Sequence, residues 1–151
     1  MAASDSNDEK INFLKDIYIS VVFLTRLPAP GWPEAAARKL STGMWAFPIA
    51  GVLVATIAGV VYALCDAIGL PVYISSLFAV VALIIASGGL HEDGLSDLAD
   101  GVWGGSDPEK RLAIMSDSRI GAFGAIALIV SITGRAAAIA TIDRPLFVFG
   151  A

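Results

Sequence analysis

Apolar and polar positions fall into long blocks along this chain. Residues 11–27 (INFLKDIYISVVFLTRL) carry apolar side chains at 11, 14, 17, 18, 21 and 24, the spacing of one helical face, interrupted by Lys15, Asp16 and Arg26. That mixture predicts an interfacial amphipathic helix lying along a bilayer. Pro28-Ala29-Pro30-Gly31-Trp32-Pro33 then breaks any helix. Trp45 to Cys65 holds no charge, and at ~1.5 Å per residue it covers a hydrocarbon core of about 30 Å. Gly51, Ala55 and Gly59 recur every fourth residue there and predict a smooth face for close helix contact. After a short turn, Pro71 to Leu90 reads as a second uncharged span, residues 91–119 as a polar segment, and Ile120 to Ile142 as a third span containing Arg135. Phe147 to Ala151 reads as the opening of a further span, which predicts that this chain is part of a longer polytopic protein.

Composition agrees with the pattern. The 151 residues are 56% hydrophobic and only 16% charged, against roughly 25% charged in soluble domains. The expected fold is therefore all-α: a transmembrane bundle of three spans with an N-terminal interfacial helix, forming one membrane domain over 11–151. Residues 1–10 are polar and acidic, and predict a disordered tail with no basic region of a cleavable signal. Cys65 is the one cysteine, so no internal disulfide can form, and its apolar surroundings predict a packing role. A net charge of −4 without a basic stripe excludes a nucleic-acid partner. Trp32 and Trp45 suit the headgroup zone.

Basic residues set the orientation. Lys10, Lys15, Arg26, Arg38 and Lys39 precede the first span, Lys110, Arg111 and Arg119 follow the second, and the intervening loop has none. The positive-inside rule then places both the N-terminus and the 91–119 segment in the cytoplasm.

The polar segment carries the candidate chemistry. His91-Glu92-Asp93-Gly94-Leu95-Ser96-Asp97-Leu98-Ala99-Asp100-Gly101 puts five acidic or imidazole side chains beside a span, where carboxylates are costly unless they serve ion or phosphate chemistry. On a helix Asp93, Asp97 and Asp100 fall at i, i+4 and i+7, on one face. Such a stripe of like charge calls for a cation. Oxygen ligands alone point to Mg²⁺, which usually shares its shell with phosphates and water. Gly88-Gly89 lets the backbone turn close to a ligand, and the glycines after Asp93 and Asp100 leave room for a phosphate. Lys110, Arg111 and Arg119 are near enough in sequence to hold phosphate oxygens, although Glu109, Lys110 and Arg111 serve equally as a solvated helix face. Asp107-Pro108 reads chiefly as a helix start, with Asp107 as the N-cap. His91 reads either as a structural anchor at the end of a span or as part of the site. Arg135 inside a span requires a partner or a route to the interface. Gly121 and Gly124 are expected to pack helices.

The run GGLHEDGLSDLADGVWGG followed by DPEKRLAIMSDSRIGAFG closely resembles the cobalamin-5′-phosphate synthase, or adenosylcobinamide-GDP ribazoletransferase, family. FLTRLP at 23–28 and FPIAG at 47–51 support the likeness, which extends from about residue 13 onward. The resemblance implies a multi-pass inner-membrane enzyme late in cobalamin synthesis, joining adenosylcobinamide-GDP to α-ribazole or its phosphate with release of GMP and use of Mg²⁺. By matching position, Asp93, Asp97 and Asp100 would bind the cation. Asp117 and Arg119 would complete the polar site, with Arg119 on the departing phosphate. His91 or a carboxylate would accept the hydroxyl proton. Relatives commonly carry an apolar residue where Glu92 stands, so Glu92 is not expected to be essential. Arg135 is expected to substitute for a lysine common in that region. Family members are longer, which implies that these 151 residues alone are inactive. A homo-oligomer is left open.

Three rivals are distinguishable. CDP-alcohol phosphotransferases also cluster aspartates beside spans, but carry Ala-Arg where this chain has Ser96-Asp97. Cation-coupled transporters place acidic groups at mid-span, whereas the spans here are free of carboxylates. A scaffold for other corrinoid enzymes would bind partners without turnover.

Overall fold

The computed structural model describes residues 2–37 and 39–142, with the side chains from residue 12 onward except that of Ala36. The expected opening of a further span at 147–151 lies outside the described residues. All regular structure among the described residues is helical: α1 (Ala2–Leu24), α2 (Pro33–Ala36), α3 (Leu40–Gly43), a 3₁₀ turn (Met44–Ala46), α4 (Phe47–Ala67), α5 (Val72–Ser87), α6 (Leu90–Gly104), α7 (Pro108–Met115) and α8 (Ala122–Ala140). The backbone of residues 2–10 belongs to α1, where composition predicts a disordered tail. Extending an existing helix adds one hydrogen bond for each residue fixed, so polar residues can follow an apolar segment into it.

Among the described residues two stretches, Leu40–Ala67 and Ala122–Ala140, are long and apolar enough to cross a membrane. They match the first and third expected spans. The second is broken. α5 has 16 residues, ~24 Å at 1.5 Å per residue, and the chain then bends by 94° into α6. Gly88 and Gly89 make that corner with φ of 70° and 71°, left-handed values that favour glycine. An uncharged run therefore supplies one helix and a corner rather than one straight helix.

Burial is distributed as a bilayer favours. Phe13, Leu14, Val22 and Phe23 of α1 are exposed, while Asp16 and Ser20 of the same helix are buried. Ser20 Oγ lies 2.8 and 2.7 Å from the carbonyl oxygens of Asp16 and Gly43, and Trp45 Nε1 donates to Asp16 Oδ2 at 3.2 Å. Polar groups seek partners inside the protein, and apolar ones lose nothing by facing lipid. α1 thus docks against α3 through a polar seam, with much of its apolar surface outward.

The core takes one alanine and one larger residue from each of three helices: Ala58 and Tyr62 of α4, Ala79 and Val80 of α5, and Ala136 and Ile139 of α8. The contact stripe of α4 is Ala50, Val54, Ala58 and Tyr62. This corrects the expected stripe by one residue, because Gly51 is exposed with open space around it. An apolar helix offers several stripes of period four, and the shape of the partner selects among them.

After α6 the chain turns into α7, whose start matches expectation. Asp107 Oδ1 accepts the Lys110 backbone N–H at 2.9 Å, and Pro108 occupies the first turn. That N–H, with the Ser106 hydroxyl, holds the Asp107 carboxyl below the ordinary carboxylate range. A carboxyl lowered by folding stabilises only while ionised, so its contribution is complete above the ordinary range and disappears as pH falls through the lowered folded value. Asp107→Ala is expected to speed amide exchange at Lys110 at neutral pH, with the difference from wild type vanishing in strong acid.

Candidate functional site

The corner at Gly88–Gly89 opens a cavity of about 900 Å³ between α1 and α6. Its lining is apolar at Ile19, Val22 and Phe23 of α1 and at Ile120 and Leu128. Glu92, Asp93 and Ser96 of α6 and Arg26, just after α1, supply its polar lining. The Arg26 backbone N–H donates to the Ala86 carbonyl at 2.8 Å, which ties the end of α1 to the end of α5. Its side chain crosses Gly88 so closely that a Cβ there would meet Arg26 Cγ and Nε at 2.5 Å. Gly88 is therefore required twice, by its φ and by the arginine lying on it.

α6 presents two adjacent stripes. Glu92, Ser96, Ala99 and Asp100 are buried. Glu92 Oε1 accepts from Arg135 Nη2 of α8 at 2.8 Å, which gives the arginine within the third span the partner that its position demands. The pair gives Glu92 a partner on α8 that its sequence context does not indicate. Glu92 Oε2 and Ser96 Oγ are buried without a hydrogen-bond partner.

The aspartate stripe divides. Asp93 is exposed on the cavity wall, and Asp97 is half-buried one turn further along the same face. Asp100 is 8% exposed, and its carboxylate accepts the Gly121 N–H at 2.7 Å through Oδ2 and the Gly124 N–H at 2.9 Å through Oδ1. It holds the start of α8 against α6. A Cβ on Gly121 or Gly124 would run into that carboxylate, so these glycines do pack helices, and they also bring their amides to Asp100.

Asp97, Asp100 and the remaining predicted residues lie outside the cavity lining. His91 is exposed on the first turn of α6. Lys110 Nζ is 3.4 Å from Asp107 Oδ2 and donates to Ser106 Oγ at 3.1 Å. Arg111 Nε donates to the Gly105 carbonyl at 3.1 Å, so α7 closes on the end of α6. Arg119 Nη2 donates to Asp117 Oδ2 at 2.6 Å and its Nε lies 3.0 and 3.1 Å from the two oxygens. The guanidinium holds the Asp117 carboxyl below the usual carboxylate range, and Asp117 raises Arg119 in turn. With the Arg119 side chain 86% exposed, solvent screens this pair and opening it is easy.

Among the described residues no three His, Cys, Asp or Glu side chains converge as a metal cage. Mg²⁺ does not need one: one or two carboxylates with substrate phosphates and water are its usual shell. Asp93 and Asp97 fit that donor set. Asp100, already accepting two backbone N–H groups, fits a structural role.

Residues 16–151 match the family model described as cobalamin-5-phosphate synthase. The chain belongs to that family. It is 47% identical over 119 residues to the adenosylcobinamide-GDP ribazoletransferase of Mesorhizobium japonicum, covering 79% of this chain and 46% of that protein. With the protein of the same name from Bradyrhizobium diazoefficiens it shares 40% identity over 137 residues, 91% of this chain and 53% of the relative. The Brucella ovis protein of that name is 43% identical over 123 residues, 81% and 47% of the two chains. The chain thus spans about half the length of the curated relatives it matches. No solved structure matches it. The cavity lining and all the site residues named above come from the matched region.

Sequence reasoning missed Arg26 and Ser96 as cavity residues and the Glu92–Arg135 pair. Arg26 stood in view within FLTRLP, and the double glycine signalled a corner. What the sequence lacks is any sign that the two meet.

Proposed function

We propose that this chain forms the nucleotide-transfer site of an adenosylcobinamide-GDP ribazoletransferase in the inner membrane, with the α6–α7 segment facing the cytoplasm. The observation that carries the reading is a single cavity, at the corner after an apolar helix, that joins an apolar wall to Asp93 and Arg26. The identity to the named relatives supports the reaction, and the lysine and arginine asymmetry supports the orientation. In this reading the ribose hydroxyl of α-ribazole, or of its phosphate, attacks the phosphorus bound to cobinamide. A new P–O bond forms, the phosphoanhydride bond breaks, and GMP leaves with the bonding electron pair. The hydroxyl proton passes to His91 or to a carboxylate of α6. Asp93 and Asp97 would hold Mg²⁺, which when bound neutralises charge on the phosphate oxygens. The apolar wall takes the body of the substrate and excludes water, and Asp100 keeps α6 and α8 in register beneath the site.

The test is release of GMP from adenosylcobinamide-GDP by the full-length protein in lipid bilayers with Mg²⁺. Asp93→Asn and Asp97→Asn are each expected to lower turnover at least tenfold, about 1.4 kcal/mol of transition-state stabilisation, with unfolding temperatures unchanged. Full turnover by both variants overturns the metal assignment. Release of CMP from CDP-diacylglycerol instead of GMP moves the chain to phospholipid synthesis, and Mg²⁺ flux without either product makes it a transporter.

A further inference from the structure

Arg26 is the one cation among the described residues that line the cavity. The other arginines whose side chains are described have partners: Arg111 the Gly105 carbonyl, Arg119 the Asp117 carboxylate, and Arg135 the Glu92 carboxylate. Glu92 and Asp93 line the same cavity, yet neither forms an ion pair with Arg26, Glu92 being engaged by Arg135. The position of Arg26 is built rather than incidental. Its backbone N–H is fixed to Ala86, its stem lies on a glycine with no room for a side chain, and that glycine forms the corner. A guanidinium presents its N–H groups as a planar fork that matches two oxygens of a phosphate. The guanidinium of Arg26 lines the same cavity as Glu92 and Asp93 and forms no ion pair with either.

We propose that Arg26 binds a phosphate group of the molecule that fills this cavity, a phosphorylated ligand with an apolar or aromatic body seated against Val22, Phe23 and Leu128. The inference rests on the transferase reading for the identity of that ligand, but not for the existence of the site. Two sources share the chemistry, the diphosphate of the nucleotide-activated donor and the 5′-phosphate of the acceptor; a lipid headgroup is the competing occupant that the test excludes. Arg26 takes a place that sequence pattern gives to Arg119, which in the structure is turned to Asp117 on the surface.

The test is calorimetric binding to the full chain in nanodiscs of zwitterionic lipid, comparing wild type, Arg26→Gln and Arg26→Lys. The probes are inorganic pyrophosphate, GDP, α-ribazole 5′-phosphate and unphosphorylated α-ribazole. Arg26→Gln is expected to bind pyrophosphate and at least one phosphorylated probe at least tenfold more weakly, with α-ribazole itself unaffected. Arg26→Lys, which keeps the charge and loses the fork, is expected to fall between. Beyond pyrophosphate, a loss at GDP alone assigns the donor, and one at α-ribazole 5′-phosphate alone assigns the acceptor. Equal affinities of wild type and Arg26→Gln for every phosphorylated probe overturn the proposal, as does failure of the wild type to bind any of them. An effect seen only in the phosphorus resonances of the lipid also overturns it, and gives Arg26 to a headgroup. Unchanged unfolding temperatures in both variants separate lost binding from lost fold. Binding that depends on Arg26 in a protein that releases no GMP keeps this site and removes the transferase reading.

Discussion

Asp100→Ala is expected to destabilise the protein by about 3 kcal/mol, more than loss of an exposed ligand would. The buried carboxylate takes two backbone N–H groups of the α8 start, at 2.7 and 2.9 Å. Hydrogen bonds to a charged acceptor contribute roughly 1.5–3 kcal/mol each. Gly121 is exposed, so water can replace the carboxylate there, but Gly124 is buried and its amide would be stranded. The lower part of the range therefore applies. Asn offers a single acceptor oxygen and would turn its amide group toward the second N–H, so Asp100→Asn should lose a large part of the same stability. Thermal unfolding in bicelles measures both, and amide exchange at Gly124 locates the damage. If Asp100→Ala unfolds at the wild-type temperature and loses only Mg²⁺ affinity, the residue is a metal ligand as its spacing suggests, and the strut role is wrong.

The second large effect concerns Glu92 and Arg135. Removing one member of a buried ion pair typically costs 3–5 kcal/mol, because the other charge is left unpaired. Arg135 is 37% exposed and Glu92 11% at the side chain, so the two single variants should differ. Glu92→Leu leaves a guanidinium that can snorkel, for about 2 kcal/mol. Arg135→Met leaves a buried carboxylate with no cation, for about 3 kcal/mol or more. The double variant is expected to recover most of the loss, since the Glu92 oxygen without a partner makes the native pair an imperfect one. A double-mutant cycle in unfolding free energy measures the coupling. Additive losses would mean that the two side chains act independently, whatever their 2.8 Å separation.

These two cases show where sequence reading reaches and where it ends. Asp107 was legible as a cap because its partner, the Lys110 amide, lies three residues away. The 93–97–100 stripe was legible as one helical face for the same reason. Its division was not, because the groups that capture Asp100 belong to α8 and reach it only once α6 and α8 pack. Arg135 announced its need for a partner by sitting in an apolar run, yet the sequence left several acids available. Glu92 looked doubtful because relatives commonly carry an apolar residue at its position. The α4 contact stripe was misplaced by one residue because Gly51-Ala55-Gly59 and Ala50-Val54-Ala58 have the same period, and only the shape of α5 distinguishes them.

By itself, then, the sequence determined the helical class, the apolar stretches, the polar segment with its glycine corner, and the family motif. Each of these depends on hydrophobicity or on hydrogen bonds spanning a few residues. The tertiary structure decided which acid faces the cavity, which acts as a strut, which neutralises an arginine, and that Arg26 arrives at Gly88. The reason is geometric: a 94° bend at Gly88–Gly89 turns α6 against α8, with α1 lining the same cavity. Charges far apart in the chain become neighbours there, and no local periodicity records such a meeting.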